Sequence, residues 1–256
     1  MISIVTGANA KYLDQIKPYL ETLNENAAGL NPTLCCVDCE PPGYLEGLPE
    51  VKAVRLDRSA LAGSPDYSDS LQHGAWLDVV PGNPDEVVIW TDGDLYMQRP
   101  MSDPEREGLA EWPENSIGVS WNMGPDESLL IEALYKLRPK VSDGAFLDRW
   151  GRETITKPVF NVGLMVARRS TFSRLHDIYL PLWDEIGEYL DHPARQQWLL
   201  SYLICTQGFD IRVLPYTFHT HAHFDLPSGT LVARDGTAYH GTDVILFWHL
   251  PMWLRK

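Results

Sequence analysis

The stretch Glu86-Val87-Val88-Ile89-Trp90-Thr91-Asp92-Gly93-Asp94 constrains this chain more than any other. A run of β-branched and aromatic residues stops abruptly at two carboxylates separated by one glycine. The run predicts a buried strand. Side chains alternate along extended backbone, so Asp92 and Asp94 can point the same way. Gly93 has no Cβ and is expected to let a ligand or metal approach the backbone closely. Two carboxylates converging at a strand mouth repel unless a cation joins them, and a hard divalent ion with oxygen ligands suits that role. The same residues also make a solvated turn that merely ends the strand. The motif alone leaves both readings open.

The remaining pattern supplies the setting. Ile2 to Val5 predicts a first strand, ending in the small-residue turn Thr6-Gly7-Ala8-Asn9. Tyr12 to Asn26 predicts an amphipathic helix with Tyr12, Ile16, Tyr19, Leu20 and Leu23 on one face. Strands are expected at Thr33 to Val37, Val51 to Leu56 and Glu86 to Thr91, with a helix at Ser68 to Val79. Such alternation implies an α/β protein with a mixed, mostly parallel sheet flanked by helices, whose ligands bind beyond the carboxyl ends of the strands. Thr6 to Asn9 and Asp92 to Asp94 both lie at such ends. Further along, strands are expected at Ile117 to Trp121, Ile211 to Leu214 and Val244 to Trp248. Pro158 to Arg168 predicts a strand interrupted at Asn161 and Gly163, and helices are expected at Asp126 to Leu137, Thr171 to Leu190 and Ala194 to Gln207. No linker, repeat or low-complexity tract divides the chain, so residues 1–256 are expected to form one domain.

The net charge of −14 argues against nucleic acid, which demands a basic face. An anionic ligand would then need a metal or a local Arg/Lys cluster to offset the repulsion. Cys35, Cys36 and Cys39 cluster, but no further ligand group completes a zinc site. They read as small hydrophobes at a strand end, in keeping with a reducing compartment. No signal peptide or apolar stretch of membrane-spanning length is visible, so a cytoplasmic protein is expected.

Three segments join the aspartates. Phe160-Asn161-Val162-Gly163-Leu164-Met165-Val166 places an amide and a glycine in an apolar strand, as either a bulge or a ligand contact. Arg195-Gln196-Gln197-Trp198-Leu199-Leu200 opens a helix with two amides. Val244 to Trp248 ends in His249, followed by Leu250-Pro251-Met252-Trp253. In this order the pattern resembles GT-A fold glycosyltransferases, particularly family 8. The resemblance rests on Asp92-Gly93-Asp94, on Phe160-Asn161-Val162-Gly163, on Gln196-Gln197 and on His249, and it spans Ile2 to Trp253.

The resemblance implies a single Rossmann-like GT-A domain, with residues 1–100 as the nucleotide-binding half and 101–256 as the acceptor-side half. It implies Mn²⁺ or Mg²⁺ held by Asp92, Asp94 and His249, bridging the diphosphate of a nucleotide-sugar donor of the UDP-sugar kind. Thr6, Gly7, Ala8 and Asn9 would hold base and ribose, with Asp92 and Gly93 at the ribose. Asn161 and Gln197 would face the transferred sugar and a saccharide or other hydroxyl acceptor. Gln197 would lie near the reacting carbon, positioning rather than attacking, because an amide is a poor nucleophile. Transfer would retain configuration. Gln72 and His73, on the helix before the aspartate strand, would recognise the donor sugar.

The chain departs from the family pattern at Asn9 and Gln196, where acids are usual. It also lacks the lysine of the C-terminal run, near which Arg255 and Lys256 stand. These departures motivate a catalytically silent nucleotide-sugar or carbohydrate binder as an alternative reading. A nucleotidyltransferase is a third, but Thr6 to Lys11 is poor in the glycine and arginine its loop needs. Arg55, Arg58 and Arg99 read as surface ion pairs or phosphate contacts. His219, His221 and His223 share one face if extended, as acceptor contacts, a metal site or an ordinary polar loop. Trp121, Trp198, Trp248 and Trp253 fall near the inferred cleft without an assigned stacking role.

Overall fold

A computed structural model of the chain describes residues 1–57, 74–121, 158–186, 195–221, 232–235 and 237–249. In the first half the elements are β1 (Ile2–Asn9), α1 (Leu13–Asn26), β2 (Thr33–Val37), β3 (Lys52–Leu56), β4 (Val87–Thr91), β5 (Leu95–Met97), α2 (Asp103–Ala110) and β6 (Ser116–Trp121). Then come β7 (Phe160–Arg168), α3 (Arg169–Ile186), α4 (Arg195–Thr206), β8 (Asp210–Val213) and β9 (His219–His221). Last are β10 (Val232–Arg234), β11 (Thr237–His240), β12 (Asp243–Val244) and β13 (Phe247–His249).

Seven strands form the central sheet in the order β3-β2-β1-β4-β7-β6-β8. All ladders are parallel except the two made by β7, which runs against both β4 and β6. The inner strands are covered on both sides, which is why they read as continuous apolar runs. On one face Val88 and Trp90 pack with Val5 and Cys35 against Phe172, Leu175 and Tyr179 of α3 and Leu199 and Leu203 of α4. On the other, Val87, Ile89, Ile4 and Leu34 meet Ile16, Tyr19, Leu20 and Leu23 of α1, the helix face expected from its spacing. Cys35 and Cys36 are buried free thiols, and burial pushes Cys36 up to about 12, so both act as small apolar side chains.

Several expectations need correction. Thr6 to Asn9 is not a turn, because β1 continues to Asn9 and keeps pairing with β2 as Gly7↔Cys35, Ala8↔Cys36 and Asn9↔Val37. The expected helix Ser68 to Val79 is described only from Gly74. There the chain makes a single 3₁₀ turn, Ala75–Asp78, preceded by Gly74 at φ +123°, a backbone angle that no right-handed helix can include. The expected strand Val244 to Trp248 is split between β12 and β13. Arg58, Gln72, His73, Asp126 to Leu137, His223 and the tail from Leu250 lie outside the described residues.

β7 runs unbroken from Phe160 to Arg168, so the expected interruption at Asn161 and Gly163 is in the pairing with β6 and not in the strand itself. In the β6–β7 ladder Gly118 faces Val166 but Ser120 faces Asn161, so two steps along β6 match five along β7. This irregularity is what re-aims Asn161 and Gly163.

Candidate active site

The sheet brings the predicted metal ligands together. Asp92 and Asp94 follow β4 directly, and β13 carries His249 opposite Leu95 in an antiparallel ladder with β5, one residue beyond Asp94. Asp92, Asp94 and His249 each offer an atom within 4.8 Å of the others. His249 Nε2 and Asp94 Oδ1 are 2.9 Å apart, with the imidazole buried and the carboxylate mostly so. Adjacent ligands of an octahedral ion with bonds near 2.1 Å lie about 3 Å apart, so this spacing suits Mg²⁺ or Mn²⁺. Two carboxylates and one imidazole form a donor set such ions accept.

Gly163 makes the room. A Cβ at this position would lie 2.8 Å from both Asp92 Oδ2 and His249 Cε1 and 3.0 Å from Asn161 Oδ1. Its carbonyl accepts the Asp92 N–H at 2.7 Å, and its own N–H donates to Asn161 Oδ1 at 2.9 Å. Asn161 is buried, and its side-chain oxygen accepts from the backbone two residues further along the same strand.

On its Cβ side Gly93 makes room for α1. A Cβ there would meet Ile16 Cδ1 at 2.9 Å and Cγ1 at 3.0 Å. The space on the Cβ side of Gly93 is thus filled by α1. The same helix anchors the end of β4, because Tyr19 Oη donates to Thr91 Oγ1 at 2.8 Å, which donates on to the Val5 carbonyl at 3.4 Å. Burial raises the Tyr19 phenol, and the charge of nearby Asp92 adds to that, against the Thr91 hydrogen bond. Tyr19 is therefore a neutral donor in this scaffold.

The remaining predicted residues fall as follows. Thr6 is fully buried opposite Thr91, the last paired residue of β4, and its Oγ1 finds no hydrogen-bond partner among the described residues. Beyond it Gly7, Ala8 and Asn9 lose β4 as a neighbour at the point where Asp92 turns away. Asn9 Oδ1 caps this end by accepting the Lys11 N–H at 3.0 Å. Gln196 and Gln197 are half-buried in the first turn of α4. That turn is tied to β7: Phe160 N–H donates to Ser201 Oγ at 3.0 Å, and Ser201 donates to the Gln197 carbonyl at 2.6 Å. Gln197 is thereby fixed beside the strand that carries Asn161.

Arg55 and Arg99 are otherwise engaged. Arg55 pairs with Glu40. Arg99 makes a two-pronged pair with Glu105 at 2.7 and 2.8 Å and also donates to the Val244 carbonyl. A cavity of about 750 Å³ opens between Val80–Pro84 and the start of α3. It lies at the amino-terminal end of β4, away from the aspartates. Arg169 on its wall is committed to Glu86 and to the carbonyls of Val80 and Pro81.

Sequence reasoning passed over Ser120. It is buried and its Oγ lies 2.7 Å from Nδ1 of His219, itself 2% exposed. Gly118, which breaks the apolar run of β6 two residues earlier, is the signal that marks the irregularity. His219 is thus a buried strand residue held against Ser120 rather than part of a solvated loop.

Compared by sequence, the chain matches no protein-family model and no curated protein. Solved structures do match. The galactosyltransferase LgtC, solved with donor and acceptor sugar analogs, superposes with a TM-score of 0.58 at 10% identity, over 97% of this chain and 86% of that one. The chain has a GT-A fold. Mouse xyloside xylosyltransferase 1 in its apo form gives a TM-score of 0.54 at 16% identity, over 97% of each chain. The glycosyltransferase GlyE of Streptococcus pneumoniae gives 0.56 at 13%, over 97% of this chain but 54% of that longer one. At such identities the likeness establishes the GT-A architecture, and the chemistry rests on the residues just described. Among the described residues no helix is long and apolar enough to cross a membrane.

Proposed function

We propose that this chain is a divalent-metal-dependent glycosyltransferase that moves a sugar from a UDP-sugar donor to a hydroxyl acceptor with retention of configuration. The observation that carries the reading is the convergence of Asp92, Asp94 and His249 at the carboxyl end of β4 in a GT-A fold. Such a cluster lets a protein of net charge −14 accept an anionic donor. A bound Mn²⁺ or Mg²⁺ supplies Lewis-acid stabilisation of the departing diphosphate.

The chain's own residues divide the remaining work. Thr6 to Asn9 cradle base and ribose, and Asp92 shares itself between the ribose and the cluster. Asp94 and His249 are the firmer ligands. Asn161 and Gln197 orient the transferred sugar and the acceptor hydroxyl. Gln197 does so without forming a covalent bond, because a neutral amide is too weak a nucleophile. The acceptor attacks from the leaving-group side and gives its proton to a diphosphate oxygen. The free buried thiols suit a reducing, cytoplasmic compartment.

The test is a thermal-shift series with UDP, GDP and ADP, each with and without Mn²⁺, followed by donor hydrolysis. Selective stabilisation by UDP only with metal is expected, about 2.7 kcal/mol at a hundredfold excess over Kd. Asp94→Asn should remove the metal-dependent part of that shift. Equal Mn²⁺-dependent shifts in wild type and variant overturn the metal assignment, and metal-dependent UDP binding without hydrolysis or transfer from any donor favours a silent binder.

A further inference from the structure

His219 stands in a segment whose role the proposed reaction leaves unused. We propose that His219, clamped by Ser120, is a positioning residue that fixes the His249 imidazole in its ligating orientation; this rests on the metal reading of the Asp92–Asp94–His249 cluster. A histidine ring turns about a broad sp³–sp² torsion, so its own rotamer does little to decide where Nε2 points. Neighbours must decide it. One is Gly163, which leaves room for the ring to lie against bare backbone, since a Cβ there would come within 2.8 Å of His249 Cε1. Besides Asp94 at Nε2, a further one is the His219 ring, stacked on the His249 ring with centroids 5.9 Å apart and planes 28° from parallel.

His219 can serve as a wall because it is itself immobilised. β9 is hydrogen-bonded to β13 in a parallel ladder, with Phe247 opposite His219 and His249 opposite His221. The ring is 2% exposed, and Nδ1 is engaged by Ser120 Oγ at 2.7 Å. Ser120 reaches it because the register slip in the β6–β7 ladder sets Ser120 opposite Asn161. The chain thus links the β6–β7 irregularity to the cluster through two rings. Groups that orient a metal-bound histidine typically change metal affinity by about 10–100-fold when removed.

The experiment measures Mn²⁺ affinity by electron paramagnetic resonance, beside thermal melts in EDTA that report folding alone. His219→Ala should weaken Mn²⁺ binding by about tenfold and broaden the bound-ion spectrum. His219→Phe keeps a flat ring and should restore affinity to within about threefold of wild type. Ser120→Ala, which frees the clamp but keeps the ring, should fall between them. Wild-type affinity in His219→Ala overturns the proposal, as does a loss in His219→Phe equal to that in His219→Ala, which would mean that the ring nitrogens act directly. If His219→Ala does not fold, unchanged affinity in Ser120→Ala overturns it instead. A wild-type protein that binds no Mn²⁺ defeats the metal reading and this inference together; wild-type binding with unaffected variants defeats this inference alone.

Discussion

Gly163→Ala tests the site most directly, because it adds one methyl group where two cluster residues meet. The new Cβ would stand 2.8 Å from Asp92 Oδ2 and from His249 Cε1, and 3.0 Å from Asn161 Oδ1. Ordinary contact begins at 3.4 Å, so Asp92 and His249 must each retreat by about 0.6 Å. Neither can do so cheaply. Asp92 is held by its N–H on the Gly163 carbonyl at 2.7 Å, and His249 sits in a strand paired on both sides. Overpacking of this kind costs about 1–3 kcal/mol. Functional groups work within about 0.5 Å of their productive geometry, so the same displacement should weaken Mn²⁺ binding by about 10–100-fold. Melts in EDTA read the first effect, and a Mn²⁺ titration reads the second. The control is Gly108→Ala in α2, where nothing lies within 4 Å of the added Cβ. That change should stabilise the protein by about 0.5–1 kcal/mol through helix propensity. A Gly163→Ala protein with wild-type melting and wild-type Mn²⁺ affinity would refute the reasoning.

Two further outcomes follow from contacts elsewhere in the fold. Gly93→Ala should destabilise by about 1–3 kcal/mol through its collision with Ile16, and pairing it with Ile16→Ala should recover part of that loss. Strictly additive melting shifts in the double-mutant cycle would show that the two do not meet. Burial alone would raise the Glu105 carboxyl, but hydrogen bonds from Arg99 and Ser102 outweigh it and hold it below its ordinary value. A carboxyl lowered on folding contributes stability that is present above its unfolded pKa and lost as pH falls through the folded one. Wild type should therefore lose about 1 kcal/mol more than Glu105→Gln on acidification below about pH 4.5, a modest effect because the pair is partly open to solvent. Parallel stability curves for the two proteins across that range would contradict it.

The parts of the fold legible in the sequence were those written in local periodicity. The apolar run Val87 to Thr91 and the α1 face Ile16-Tyr19-Leu20-Leu23 take their place in the structure as spacing implied, and the irregularity near Asn161 takes the form of a register slip against β6. Elements with little signal of their own were missed. β5 and β9 are three residues each, and they exist because β13 lies between them and completes their hydrogen bonds. The start of β1 is legible in the sequence and its end is not. Small residues at Gly7 and Ala8 look like a turn until β2 supplies the ladder that keeps them extended.

The two glycines of the site show why motif reading stops where it does. Asp-Gly-Asp and Asn-Val-Gly each place a glycine among polar ligands, and a missing Cβ permits close approach at either. Which approach is used depends on what the rest of the chain brings there. At Gly93 it is Ile16, delivered by a helix some 80 residues earlier in the chain, so that glycine lets α1 brace the aspartate turn. At Gly163 it is Asp92 and His249 themselves, so that glycine is the floor of the cluster. Asp94 and His249 are separated by 155 positions, yet one antiparallel ladder between β5 and β13 sets them side by side. The ligand types could be read from the chain, because the chemistry of a divalent ion limits them. The floor, and the ring that faces it, could not, because they are set by register between strands that carry no mark of their partner.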